Sequence, residues 1–420
     1  MTDIETAFEP DAGDDDAADV APLTVALYVH VPFCLSKCAY CDFVSAVSDD
    51  RWHAPFVDAI LFSASHWASF GLLEDVPTLY FGGGTPTILG DELVRLVSGL
   101  RHIAELRDDA EITVETNPDA TTPALIADLV AAGVNRFSLG IQSFDDDVLS
   151  TLGRRHDAES ARDAAAALAA SGVPFSVDLI CGVPGQRDDS WARSLAEAVR
   201  TGAGHVSVYP LTVEEGTPLA AAVAAGTVAE PDSDAAAAMM LAAQSALAQA
   251  GIERYEVANY ARAGQEARHN TVYWTGGAYL GLGPSASSML PATVYEQVAG
   301  AEGWPDADAG SDVDCAPAAR VRFTTTADTT AFLRRPLGAP SDVESLSAEE
   351  TAREDVMLGM RLSQGVCATQ VEAAGLLPVM ESLADDGLVE RVATDTDRWR
   401  TTSRGWLMGN VVFGRLWAGE

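Results

Sequence analysis

The sequence predicts an α/β fold: a partial (β/α)6 barrel followed by a small C-terminal α+β domain of winged-helix-like type. Three observations carry this. Over residues 23–250, six apolar segments that read as strands alternate with helical segments across short connections, the signature of a parallel sheet wound by right-handed crossovers. Six units fall short of the eight of a closed barrel, so the barrel is expected to be open. The polar and glycine-rich residues gather where each strand ends, the face on which such barrels work. Residues 343–420 read as helices followed by a hairpin.

Taken in order, residues 1–22 hold eight acidic residues and no basic one, which reads as a disordered acidic tail. The apolar alternation from Val25 to Val31 is a strand that Pro32 stops. A helix is expected from Arg51 to Phe70. A strand from Thr78 to Phe81 runs into Gly82-Gly83-Gly84-Thr85-Pro86, and a helix follows from Asp91 to Ile103. The strand Glu111 to Val114 ends in Glu115-Thr116-Asn117-Pro118; Thr122 caps and Pro123 opens the next helix, which ends near Gly133. The remaining barrel strands are Arg136 to Leu139, Phe175 to Ile180 and His205 to Val208, with helices Asp157 to Ala170 and Trp191 to Arg200 between them. Residues 251–342 read as a barrel-flanking extension, with an exposed insertion at 299–318 rich in Ala, Gly and Asp. Ser347 and Glu350 form a capping box for a helix ending near Leu362. A helix interrupted near Pro378 then leads to Gly387 and the hairpin.

Composition narrows the function classes. The chain is 48% apolar, 21% charged and carries a formal net charge of −36, with Lys37 as its only lysine. Such a charge disfavours tracking a phosphate backbone, so no nucleic-acid partner is expected. The C-terminal domain is itself at net −6. The alanine-rich stretch Ala235 to Ile252 is too weakly apolar to span a bilayer and no secretory signal is visible, so a cytoplasmic protein without a transmembrane segment is expected.

The chemistry centres on Cys34, Cys38 and Cys41, a C-x3-C-x2-C triplet on the loop after the first strand. Thiolates are the soft ligands that iron–sulfur clusters take, and three of them leave one iron of a four-iron cubane open. A Cys3His zinc site with His30 is the competing reading; His30 lies within the strand pattern, and structural zinc usually draws on two separated cysteine pairs. Disulfides fit poorly with six cysteines in a long chain that lacks a signal peptide. Cys181, Cys315 and Cys367 read as packing residues or free thiols, Cys315 being the one in a polar loop that merits testing as a ligand.

Together with Gly82–Pro86, Glu115/Asn117, Gly140–Phe144, Gly153-Arg154-Arg155-His156 and Asp178–Pro184, the triplet resembles the radical S-adenosylmethionine proteins. More narrowly, from about residue 24 to 420, it resembles the branch of oxygen-independent coproporphyrinogen III oxidases and HemW-type haem chaperones. The resemblance implies that Cys34, Cys38 and Cys41 hold a 4Fe–4S cluster whose open iron takes the amino and carboxylate groups of S-adenosyl-L-methionine. An electron from the cluster then yields a 5′-deoxyadenosyl radical. By the same resemblance Tyr28, Gly83 and Glu115 contact the cluster-bound nucleotide. Tyr40, Gly84, Thr85, Gln142, Arg154 and Asp178 belong to a wider site that holds a second such molecule in related oxidases. Glycine at 83 and 84 is expected to let the backbone approach the methionyl group. The tight strand-to-helix turn and, for Glu115 and Asp178, a salt bridge inside the barrel are the plainer alternatives.

Cys41-Asp42-Phe43, without a further cysteine, and His269-Asn270-x-x-Tyr273-Trp274 resemble the chaperone branch more than the decarboxylating oxidases. That implies haem as ligand, client haem proteins as recipients and an electron donor for the cluster, with His269 as candidate haem ligand beside Tyr273 and Trp274. A homodimer is left open. Two stretches depart from the family pattern, Ser285 to Ser288 and the residues after Arg322. The oxidase, which would convert propionate side chains to vinyls, is the alternative.

Overall fold

The apolar alternation after residue 25 folds as the central strand of a large sheet in a computed structural model that describes residues 22–307, 317–392 and 397–420. Strands β1 (Ala26–Val31), β2 (Val76–Gly83), β3 (Leu106–Thr116), β4 (Arg136–Gln142), β5 (Phe175–Cys181) and β6 (His205–Pro210) lie side by side in that order, each parallel to the next. This is the expected partial barrel. Its helices are set as the local signals require. Thr122 Oγ1 accepts the Leu125 N–H at 3.2 Å ahead of Pro123–Ala132, and Gly133 closes that helix at φ 110°. Helix Ala158–Ser171 takes Asp157 as its cap and stops at Gly172, φ 74°.

Buried parallel strands usually read as unbroken apolar runs because both faces are covered. Here the faces differ. Leu27, Val29, Val31, Leu79, Phe81, Val114, Leu139, Val177, Val206 and Val208 are fully buried in the main core. Each such aliphatic or phenyl group contributes about 1.5–3 kcal/mol by leaving water. The alternate residues, Tyr28, Tyr80, Glu115, Ser138, Ser176 and Asp178, share the other face and bond to one another. Tyr80 donates to Glu115, and Ser138 joins Ser176 to Asp178. The barrel is therefore greased outside and polar within.

Residues beyond the six units extend this sheet at both edges, which the strand–helix count does not foresee. Among the described residues it has twelve strands. On one side β7 (Glu253–Arg254) and β8 (Asn259–Ala261) run antiparallel beyond β6. On the other, β9 (Tyr279–Leu282) lies parallel to β1, followed by antiparallel β10 (Ser287–Pro291), β11 (Ala318–Thr324) and β12 (Asp342–Ser347). The helix Ala292–Glu302 takes up the first residues assigned to the insertion. The rest of that insertion from 308 to 316, with Cys315, and the acidic tail from 1 to 21 lie outside the described residues.

The C-terminal domain has its own core around Val371, Met380, Leu383, Val412 and Leu416. Helix Ala348–Gly359 opens on the Ser347/Glu350 capping box; helices Ala368–Ala373 and Leu377–Asp385 precede the hairpin Val389–Val392/Arg398–Thr401. The break between those two helices falls just before Pro378, where the pyrrolidine ring suits a first turn. Buried Glu354 fastens this domain to the sheet between Arg320 and Arg322, and Trp406 Nε1 donates to Val257 O at 2.8 Å. Among the described residues no helix is long and apolar enough to cross a membrane.

Candidate functional site

Where β1 ends, the pair Phe33–Cys34 bonds to Ala46–Val47 and closes residues 35–45 into a loop over the carboxyl ends of the strands. Backbone from three directions holds this loop. The glycine turn after β2 donates from Gly84 N to Val31 O at 2.8 Å and from Thr85 N to Phe33 O at 2.7 Å. Ala39 N donates to Leu152 O at 3.1 Å, and Leu219 N donates to Ala39 O at 2.8 Å.

These contacts explain the glycines differently from the expectation. A Cβ on Gly84 would stand 2.4 Å from Phe33 O, and one on Gly83, at φ 101°, would stand 2.6 Å from the His30 ring. Gly84 is required where Phe33, at the root of the cysteine loop, docks on the turn, and Gly83 where the His30 ring of β1 packs against it, so the approach of a ligand is not needed to account for them.

The three thiols line one cavity of about 450 Å³. Thr85 Oγ1 lies 3.9 Å from Cys34 Sγ and accepts from Asn117 Nδ2 at 2.7 Å. Arg154 reaches Cys38 Sγ with Nη1 at 3.4 Å, while its Nη2 donates to Asn117 Oδ1 at 2.5 Å and Gly140 O at 2.7 Å. Burial pushes the Cys34 and Cys41 thiols up, and their neighbouring sulfurs add to it. A coordinating metal reverses that by deprotonating the thiol outright, and the buried Arg154 guanidinium favours the resulting negative charge. Among the described residues no three His, Cys, Asp or Glu side chains close round a single ion. A cubane takes each thiolate on a different iron, so thiols spread round a cavity suit it better than they suit zinc. His30 does not serve as a fourth zinc ligand, because its Nδ1 meets Tyr28 OH at 3.1 Å and its Nε2 meets Val44 O at 2.8 Å.

On the strand side of the cavity, Glu115 Oε1 accepts from Tyr80 OH at 2.7 Å and Oε2 from Gly83 N at 3.2 Å. Its carboxyl opens on the cavity, yet the surrounding protein pushes its pKa up to about 7; desolvation dominates and nearby Asp178 adds to it. Burial raises Asp178 as well, against hydrogen bonds from Ser207 and Ser138. Among the described residues neither carboxyl makes an ion pair of the kind the plainer alternative supposed. Gln142 sits at φ 69°, an uncommon conformation for its type, where the register of β4 against β5 slips.

Tyr40, Gly83, Gly84, Thr85, Glu115, Gln142, Arg154 and Asp178 thus line the same cavity as the cysteines. Tyr28 does not: it lies deeper, its ring 6.2 Å from that of Tyr80. His269 also lies apart from this cavity. It is 1% exposed, with Nδ1 at 2.8 Å from Thr78 Oγ1 and Nε2 at 2.9 Å from Tyr273 OH. Burial pushes its pKa down to about 3, so the ring is neutral, and both nitrogens are already engaged, leaving none for haem iron. Its own backbone N–H and that of Arg268 bond to Glu111, which fixes it as a structural residue. Cys181 is a fully buried free thiol, and Cys367 is a free, half-buried thiol that accepts from Arg398 Nη1. Tyr80 and Ser138 join the site without a motif of their own; the period-two alternation that puts them on the face of Gly82 and Gly140 is the sequence signal for them.

Comparison with known proteins shows the family and the fold. The sequence profile of the Radical SAM superfamily matches residues 28–198. The protein named "Heme chaperone HemW" of Mycobacterium tuberculosis is 36% identical over 399 residues, covering 93% of this chain and 94% of that one. Its namesake in Synechocystis is 30% identical over 387 residues, covering 89% and 88%. Among solved structures, the coproporphyrinogen III oxidase of Escherichia coli, described as a Radical SAM enzyme, superposes with a TM-score of 0.74 over 94% of this chain and 91% of that one. At 21% identity that likeness speaks for the fold alone.

Proposed function

The chain belongs to the HemW family of radical SAM proteins, and on that premise we propose that it is a haem chaperone. It binds a 4Fe–4S cluster and S-adenosyl-L-methionine and delivers haem to client haem proteins in the cytoplasm. The observation that carries this reading is the convergence of Cys34, Cys38 and Cys41 with Gly83, Thr85, Glu115 and Arg154 on one cavity. The cluster supplies a low-potential electron to the sulfonium nucleotide when both are bound.

The chain's own residues prepare the place. Cys34, Cys38 and Cys41 would hold the cluster, and backbone bonds from the glycine turn and from Leu152 hold their loop in place. Arg154 stabilises thiolate charge at Cys38 and offers Nε, buried without a partner, toward anionic ligand groups. Gly83 and Glu115 would meet the cluster-bound nucleotide, with the Tyr28 ring behind them next to Tyr80, while Tyr40, Gly84, Thr85, Gln142, Arg154 and Asp178 would serve the wider site. Phe43 and Lys37 stand at the exposed mouth of the cavity, where an external electron donor would approach the cluster.

The test is anaerobic reconstitution followed by haem titration and a porphyrinogen turnover assay on one preparation. The reading expects about four irons per chain, a shifted haem band and no decarboxylation. Turnover of coproporphyrinogen III without a haem shift would replace it with the oxidase reading.

A further inference from the structure

Beneath the cavity four rings stand in series. Tyr80 stacks on His269 at 4.9 Å between centroids, 22° from parallel. His269 meets Tyr273 at 5.2 Å and Tyr273 meets Tyr279 at 4.8 Å. Packing alone would be served by phenylalanine. Instead the first two phenols each carry a base: Tyr80 OH donates to Glu115 Oε1 at 2.7 Å, and Tyr273 OH lies 2.9 Å from His269 Nε2. With Thr78 accepting from Nδ1–H, the neutral imidazole leaves Nε2 free to accept the Tyr273 proton. A phenol hydrogen-bonded to a base gives up an electron readily, because its proton has somewhere to go in the same step.

We propose that Tyr80, His269, Tyr273 and Tyr279 form a relay that quenches a carbon-centred radical left without a partner in the cavity, with Glu115 passing the proton. The source of that radical rests on the function proposed above.

The radical takes an electron from Tyr80 and a proton from the Glu115 carboxyl, so a C–H bond forms as the carboxyl O–H breaks. The Tyr80 proton moves to Glu115, leaving a neutral tyrosyl radical; in sum one hydrogen atom has left the phenol. Tyr273 then returns an electron to Tyr80, which regains its proton from Glu115, while the Tyr273 proton passes to His269. A soluble thiol or ascorbate-class reductant at the partly exposed Tyr279 end supplies the last electron. His269 gives its proton back, and water in the cavity reprotonates Glu115. The raised carboxyl pKa fits the role, since Glu115 holds a proton for part of the time near neutral pH.

The experiment uses the full chain reconstituted with cluster and S-adenosyl-L-methionine, reduced in heavy water and frozen at intervals for electron paramagnetic resonance, with the 5′-deoxyadenosine weighed by mass spectrometry. Hydrogen drawn from a phenol is exchangeable, so the wild-type nucleoside carries deuterium and a tyrosyl signal appears. Tyr80→Phe, which removes only a hydroxyl, lowers both by about threefold or more and raises adenosyl adducts on the chain. Tyr273→Phe keeps the label and lengthens the life of the first tyrosyl signal. Nucleoside that is unlabelled, or equally labelled in Tyr80→Phe with no tyrosyl signal, overturns the relay alone. Absence of nucleoside from every variant overturns the radical reading beneath it.

Discussion

The cysteine loop and the His269 corner are both motif-bearing stretches of this chain, and they differ in what their polar atoms have left to do. Around the loop, the thiols, Arg154 Nε and the Glu115 carboxyl face a cavity with bonding capacity to spare. Around His269, both ring nitrogens and the backbone N–H are spent on Thr78, Tyr273 and Glu111. A histidine in a motif is a ligand only if a nitrogen remains for one, whereas a cysteine lining a cavity keeps its lone pairs.

Breaking the loop side has the largest expected effect. Alanine at Cys34, Cys38 or Cys41 is expected to cut retained iron from about four per chain to below about one, measured by metal analysis after anaerobic reconstitution, with thermal unfolding little changed. Next comes Gly84→Ala, whose methyl would meet Phe33 O at 2.4 Å. A destabilisation of about 3 kcal/mol is expected by chemical denaturation, with weaker cluster retention, because the loop must lift off the turn. His269→Ala leaves Thr78 and Tyr273 without their partner and is expected to cost about 2 kcal/mol. Haem titration of the folded variant should match the wild type; loss of haem binding without loss of stability would restore His269 as a ligand.

The smallest effect concerns pH. The Glu115 carboxyl is held above its ordinary pKa of 4.5, at about 7, so the folded state binds the extra proton. Stability contributed at this site is therefore present below the unfolded value and is lost as pH rises toward 7. Replacing it in Glu115→Gln should flatten the stability profile between pH 5 and 7 by about 1–2 kcal/mol relative to wild type.

Much of the arrangement was legible because its signals are local. Thr122-Pro123 and Gly133 bound one helix, Ser347 with Glu350 starts another, and Pro32 ends β1 where the cysteines begin. The site residues gathered because each ends a parallel strand, and parallel strands put those ends on one face. What escaped notice depends on distant pairing. No local feature of Tyr279–Leu282 says that it lies parallel to β1, and nothing near Gly84 announces Phe33 O as its neighbour. The reason His269 is unavailable lies 191 residues away at Thr78.

The central claim is that three thiols grip a cluster whose remaining iron is open to the nucleotide. The most direct measurement is pulsed paramagnetic resonance of the reduced, reconstituted chain with S-adenosyl-L-methionine labelled isotopically at its amino and carboxylate groups. Coupling of both labels to the cluster spin is the expected result. A cluster spin that ignores the labels, or one that persists when all three cysteines are replaced, would contradict it.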